Sequence, residues 1–167
     1  IVQAYAVGED DGVFYFAMEF VDGPTMKSVL KDQSIIPARR AAEIIRQIAE
    51  ALACAWDEQK LTHRDLKPDN IIMNSSGRAK LADLGLSHVA GADKEHEDSS
   101  EEVLGTPQYI SPEQLTGAPV DNRSDLYSLG ATFFQFVTGR FPYVGKNADE
   151  IVRQHVEGTL TPPAELN

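Results

Sequence analysis

The chain has little cysteine: Cys54 stands alone among 167 residues, so no internal disulfide can form and a sulfur-stapled scaffold is excluded. That usage fits a reducing compartment and predicts a cytoplasmic protein. Positive charge is also scarce, with 15 Lys and Arg against 26 Asp and Glu and a net charge of −11. Such an acidic surface repels phosphate backbones and anionic lipid, which argues against nucleic-acid partners and membrane contact by this segment. Long apolar runs are missing; the longest, residues 13–18, stops at Glu19, far short of the roughly 20 residues a bilayer span needs. There is no internal repeat, no initial Met and no basic region followed by an apolar one, and the expectation is an excised segment of a longer protein. What is present is ordinary globular composition, 42% hydrophobic and 25% charged, which argues against disorder, collagen and low-complexity architectures. The length suits one compact unit, or part of a larger one, at about 150 residues per domain.

Residues 1–7 and 13–20 are apolar, aromatic-rich runs around the acidic turn Gly8-Glu9-Asp10-Asp11-Gly12, and they predict a β-hairpin. Val21-Asp22-Gly23-Pro24 then makes a short connector. From Pro37, placed as the first helical residue, Ala41, Ile44, Ile45, Ile48, Leu52, Ala55 and Trp56 form one stripe opposite Arg39, Arg40, Glu43, Arg46 and Glu50. This predicts a long amphipathic helix ending before Leu61, with Cys54 and Trp56 in the core. Residues 71–73 and 79–82, around Asn74-Ser75-Ser76-Gly77-Arg78, predict a second hairpin. Residues 85–105 show little periodicity and carry a block of acids, as in a long functional or mobile loop. Residues 126–137 are apolar nearly all round, through Leu126, Leu129, Phe133, Phe134, Phe136 and Val137, and predict a core helix stopped by Gly139. A last helix over 148–156 opens on the capping-box pair Asn147 and Glu150. His88 and His96 on the loop and His155 on that last helix have no ligand spacing; they read as surface residues, not a zinc site.

The second hairpin makes a geometric prediction. Asn70 precedes its first strand and Asp83 follows its second, so antiparallel pairing brings both oxygen-bearing side chains to one end of the ladder. Two hard oxygen donors completed by substrate phosphates suit Mg²⁺. Just upstream, His63-Arg64-Asp65-Leu66-Lys67-Pro68-Asp69-Asn70 supplies a carboxylate, a cation and that amide within eight residues. Phosphoryl transfer needs a carboxylate for the attacking hydroxyl, a cation on the moving phosphate, and metal to offset charge.

Residues 63–70 resemble the catalytic loop of the eukaryotic-type (Hanks-type) serine/threonine protein kinases, and Asp83-Leu84-Gly85 resembles their Asp-Phe-Gly motif with Leu for Phe. Gly105-Thr106-Pro107-Gln108-Tyr109-Ile110-Ser111-Pro112-Glu113 is similar to the substrate-facing loop and Ala-Pro-Glu motif, with Ser for Ala. Ser124-Asp125-Leu126-Tyr127-Ser128-Leu129-Gly130 resembles the start of the central helix of the large lobe. The Ser-Pro-Glu-Gln stretch has the look of bacterial members. The implied fold is α+β: residues 1–21 as part of the small lobe and hinge, and 22–167 as part of a mostly helical large lobe.

The resemblance implies Asp65 as catalytic base, Lys67 on the γ-phosphate of ATP, Asn70 and Asp83 on Mg²⁺, and Thr106 bonded to Asp65 and Lys67. Met18 would be the gatekeeper, the Glu19 and Val21 backbones would hydrogen-bond adenine, and Ile72 would lie beneath the ring. Glu113 would pair with an Arg further along the family's fold. Arg64 reads either as a loop ion pair or as a receptor for phosphate on the long loop, and the second is preferred. The acidic run 93–102 reads equally as a solvated segment or as a phosphoacceptor at Ser99 or Ser100. Asp125 complements the dipole at a helix start or, as in the family, braces the catalytic-loop backbone, which is preferred. The glycine-rich loop and small-lobe Lys are not in this sequence, so the 167 residues alone are expected to transfer phosphate weakly or not at all. The implied activity is ATP-dependent phosphorylation of Ser or Thr in a protein substrate. The rivals are a catalytically silent pseudokinase scaffold and a small-molecule phosphotransferase.

Overall fold

The computed structural model describes residues 1–84, 88–89 and 106–166. Helix α2, Ala38–Gln59, organises the packing: Ala41, Ile44, Ile48, Leu52 and Ala55 recur every three or four residues and bury one stripe. Pro37 is the residue before the helix rather than its first, with φ −50° and ψ 132°. Lys60, at φ 55°, ends it by turning its N–H back to the carbonyls of Ala55 and Trp56. Cys54 is exposed, contrary to its assignment to the core. It follows Leu52 by about 200° of helical rotation, which points it away from the buried stripe.

Helix α4, Asn122–Thr138, crosses α2 and buries Leu129, Phe134, Phe136 and Val137. Together they surround a core that also takes Met26, Ile36, Leu66, Ile71 and Leu81. The helix begins four residues earlier than the apolar pattern suggests, because its first turn buries polar Ser124 and Asp125; Asp121 caps it by accepting from Arg123 N. Leu126 is exposed rather than core.

Three further elements escape the sequence pattern. Helix α1, Met26–Gln33, is capped by Thr25, whose Oγ1 accepts from Ser28 N at 3.2 Å. Strand β3, Leu61–Thr62, pairs antiparallel with the two residues His88–Val89. Helix α3, Pro112–Thr116, starts with a capping box in which Gln114 Oε1 accepts from Ser111 N at 3.2 Å.

Strands β1, Ala4–Asp10, and β2, Val13–Met18, form the first hairpin. Its turn is two residues, Asp11-Gly12, both at positive φ (48° and 78°), so Glu9 and Asp10 belong to the strand rather than to a longer acidic turn. Its large side chains stand in solvent, Phe14 at 78% exposure and Val7 at 73%. The chain is tied to the second hairpin on either side of it. Val2 N donates to Leu81 O at 2.8 Å, and Met73 N to Pro24 O at 2.9 Å. Gly23 passes so close that a Cβ there would sit 1.7 Å from the Met73 carbonyl oxygen. That second hairpin is β4, Ile71–Met73, with β5, Ala79–Leu81, in the register Ile71↔Leu81.

Helix α5, Ala148–Glu157, is capped by Asn147, which accepts from Glu150 N at 2.9 Å, while Glu150 reaches back to Lys146 N rather than to the cap's own N–H. His155 is buried, not a surface residue. Its Nδ1 meets Tyr127 OH at 2.7 Å and its ring packs edge-on against Tyr143, so one turn of α5 is anchored on α4. No described helix is long and apolar enough to cross a membrane.

Candidate active site

The loop over 63–70 runs between β3 and β4 and is fastened from three sides. Asp125, 2% exposed, accepts from His63 N at 2.8 Å and Arg64 N at 2.9 Å. Burial pushes its carboxyl pKa above the usual range, and those two N–H donors oppose the rise. Gln114 Nε2 donates to Arg64 O at 2.9 Å. His63, itself buried, accepts from Asp65 N on Nδ1 at 3.3 Å, which places the ring proton on Nε2, 2.9 Å from Ala82 O. These contacts hold Arg64 at φ 64°, a left-handed conformation that L residues adopt at a cost of about 1 kcal/mol or more. Sequence reasoning placed Asp125 here but missed the supporting roles of His63 and Gln114, because a buried polar bond has no periodicity to reveal it.

Asp65 is half exposed, and its Oδ2 accepts from Lys67 Nζ at 2.6 Å and Asn70 Nδ2 at 3.3 Å. Asn70 Nδ2 also donates to Asp65 O at 2.8 Å. Both bonds use the amide nitrogen, which leaves the Asn70 oxygen for another ligand. The ladder continues through Ala82 N to Asn70 O at 2.8 Å, so Asp83 follows at the same end as Asn70. Asp83 is exposed, sits at φ 61°, and its carboxylate has no partner among the described residues. A free carboxylate and a free amide oxygen at one ladder end fit a hard divalent cation that is completed by phosphate oxygens.

Thr106 departs from expectation. It lines a cavity of about 10 Å³ together with Asp65 but makes no hydrogen bond to Asp65 or Lys67; Lys67 engages the carboxylate directly instead. Arg64 Nε donates to Thr62 Oγ1 at 3.2 Å, and Ser99 and Ser100 lie outside the described residues. Glu113 has a partner the sequence did not suggest, since Ser124 Oγ donates to its carboxylate across the start of α4.

At the other edge, Glu19 N donates to Gln3 O at 2.8 Å, and the Glu19 side chain accepts from Lys80 Nζ and from Gln3 N. These contacts hold its carboxyl pKa below the usual range, the Lys80 bond being the larger cause. The Glu19 carbonyl and the Val21 N–H make no hydrogen bond among the described residues. Met18 and Ile72 stand nearby in sequence and ladder, Ile72 half-buried and bridged to Thr25.

A braced loop carrying Asp65, Lys67 and Asn70, with Asp83 across a β-ladder, sits on an α+β scaffold. The protein kinase domain family matches residues 1–164, and the chain belongs to that family. It is 36% identical over 165 residues to the serine/threonine-protein kinase PrkC of Bacillus subtilis, covering 99% of this chain and 25% of that protein. It is 35% identical over 169 residues to the serine/threonine-protein kinase PknB of Mycobacterium leprae, covering 99% of this chain and 27% of that one. PknB of Mycolicibacterium smegmatis is 35% identical over 168 residues, with 98% and 27% covered. The chain thus spans about a quarter of the length of these curated relatives.

Proposed function

We propose that the chain carries the phosphoryl-transfer site of a serine/threonine protein kinase, which moves the γ-phosphate of ATP to Ser and Thr hydroxyls of a protein substrate. The observation that carries this reading is the convergence of Asp65, Lys67, Asn70 and Asp83 at one ladder end, with Asp65 and Lys67 in direct contact at 2.6 Å. Asp65 orients the attacking hydroxyl and accepts its proton on a carboxylate oxygen. Lys67, in contact with that carboxylate, shares its charge with the γ-phosphate once substrate binds. Mg²⁺ held by Asn70 and Asp83 would offset the charge of the phosphate oxygens. The Glu19 carbonyl and Val21 N–H are the acceptor and donor that an adenine edge requires, with Met18 at the back and Ile72 beneath. Residues 1–21 then form part of the smaller lobe and 22–167 part of the larger. Thr106 borders the phosphoacceptor, Glu113 and Asp125 hold the loops, and Arg64 is the receptor for phosphate at Ser99 or Ser100. A cytoplasmic location, where ATP is abundant and Cys54 stays reduced, goes with this reading.

The test is phosphate transfer by the complete natural protein from γ-labelled ATP to a general protein substrate, followed by phosphoamino-acid analysis. Label on phosphoserine or phosphothreonine, reduced about 100-fold or more in Asp65→Asn, is expected. Transfer that survives Asp65→Asn, or no transfer by the wild type, contradicts the assignment.

A further inference from the structure

A groove of about 490 Å³ opens beside the site, between α1, the turn Pro68–Asn70 and the segment after Thr106. Thr106 and Tyr109 line both this groove and the small cavity that holds Asp65, so whatever lies in the groove adjoins the group that receives the phosphoacceptor's proton. The Tyr109 hydroxyl is engaged by Gln135 at 2.5 Å, so the ring is wall rather than ligand.

The charge in this groove runs against that of the chain. Lys27 and Lys31 lie one turn apart on α1, and both line it; Asp69 is the one acid there. Lys27 Nζ meets Asp69 Oδ1 at 2.5 Å and neutralises it. Lys31 has no ionic partner among the described residues. A net positive groove on a chain of charge −11 is a local inversion next to the reacting group. Gln108 adds a second feature: the residue lines the groove, and its Oε1 is buried with no hydrogen-bond partner among the described residues. A peptide N–H would satisfy that acceptor.

We propose that this groove selects protein substrates with an acidic side chain flanking the phosphorylated Ser or Thr, read by Lys31 and Lys27 while Gln108 accepts from the substrate backbone. A basic flanking side chain would instead meet a net positive groove, because Asp69 is already paired with Lys27 and Lys31 is left over. The inference rests on the kinase reading above and supplies its substrate class.

The test uses the complete natural protein and peptides that differ only in Glu, Gln or Lys at the positions flanking one Ser. The Gln peptide is the internal reference. The wild type is expected to favour Glu over Gln by about 3- to 10-fold in kcat/KM, chiefly through KM, as expected of charge contacts to exposed lysines. The double variant Lys27→Glu/Lys31→Glu is expected to abolish or invert that ratio, and Lys31→Gln to reduce it by about half. Circular dichroism confirms that each variant is folded. A wild-type preference for Lys, no discrimination by charge, or an acidic preference that survives the double variant overturns the inference while leaving phosphate transfer intact. No transfer to any peptide overturns the kinase reading, and this inference with it.

Discussion

Removing the Asp125 carboxylate should loosen the whole 63–70 loop. In Asp125→Ala the main-chain N–H groups of His63 and Arg64, held at 2.8 and 2.9 Å, lose their acceptor in a site where Asp125 itself is 2% exposed. Each buried donor left unpaired costs about 1–3 kcal/mol, so the pair costs about 2–6 kcal/mol. Against this, the variant no longer buries a carboxylate whose pKa burial has raised, so the net loss should fall near 2–4 kcal/mol. That is a large part of the roughly 5–15 kcal/mol that holds a domain folded. Asp125→Asn keeps one acceptor oxygen and should lose about half as much. Because the folded-state pKa is raised, the carboxyl's stabilising contribution is complete below its ordinary value near 3.8 and is lost as pH rises through the raised value. The wild-type advantage over Asp125→Asn therefore narrows as pH climbs from about 3.8. Urea denaturation gives the total, and hydrogen exchange at the 63 and 64 amides gives the local part. A loss below about 1 kcal/mol in Asp125→Ala, with exchange at both amides unchanged, would refute the bracing role.

Two further predictions follow from packing and burial. Burial lowers the His155 pKa below its ordinary value, opposed by the Pro107 carbonyl, so the neutral ring stabilises the fold above about 6.5 and that contribution fades as pH falls through the lowered value. The groups facing His155 are the Tyr127 hydroxyl, whose own pKa is pushed up to about 12, and the Tyr143 ring, so the histidine dominates this window. Thermal melts of His155→Phe between pH 7 and 5 should accordingly show a flatter pH dependence than wild type; equal slopes contradict the assignment. Gly23→Ala drives a Cβ to within 1.7 Å of Met73 O and should destabilise by about 2–4 kcal/mol in urea, whereas Gly12→Ala, with open space around it, should lose only about 1 kcal/mol. Equal losses at the two positions would mean the connector shifts freely.

The parts legible in the sequence were those with strong period or strong turn chemistry. Helix α2 showed itself through Ala41, Ile44, Ile48 and Leu52, and the β4–β5 hairpin through two apolar triplets around Asn74-Ser75-Ser76-Gly77. Helix α1 did not, because eight residues with Lys27, Lys31 and Asp32 offer two turns and only one fully buried side chain, Met26. The start of α4 was hidden because Ser124 and Asp125 are buried for hydrogen bonding rather than for hydrophobicity. His155 misled for the same reason: its partners, Tyr127 and Tyr143, lie 28 and 12 residues away, so nothing local marks it as buried. At the site, the approach of Asn70 and Asp83 to one ladder end was legible because a β-ladder has fixed geometry, whereas roles for Asp65 and Lys67 came from the resemblance to a family. The Lys27–Asp69 pair was not legible, since it depends on how α1 packs on the turn Pro68–Asn70.

Manganese binding, followed by electron paramagnetic resonance with a non-hydrolysable ATP analogue present, tests most directly whether Asn70 and Asp83 grip one divalent ion. The complete protein should bind the ion with nucleotide, and both Asp83→Asn and Asn70→Ala should weaken it by about 10-fold or more, a loss of roughly 1.4 kcal/mol each. Affinities in both folded variants equal to wild type would contradict the account.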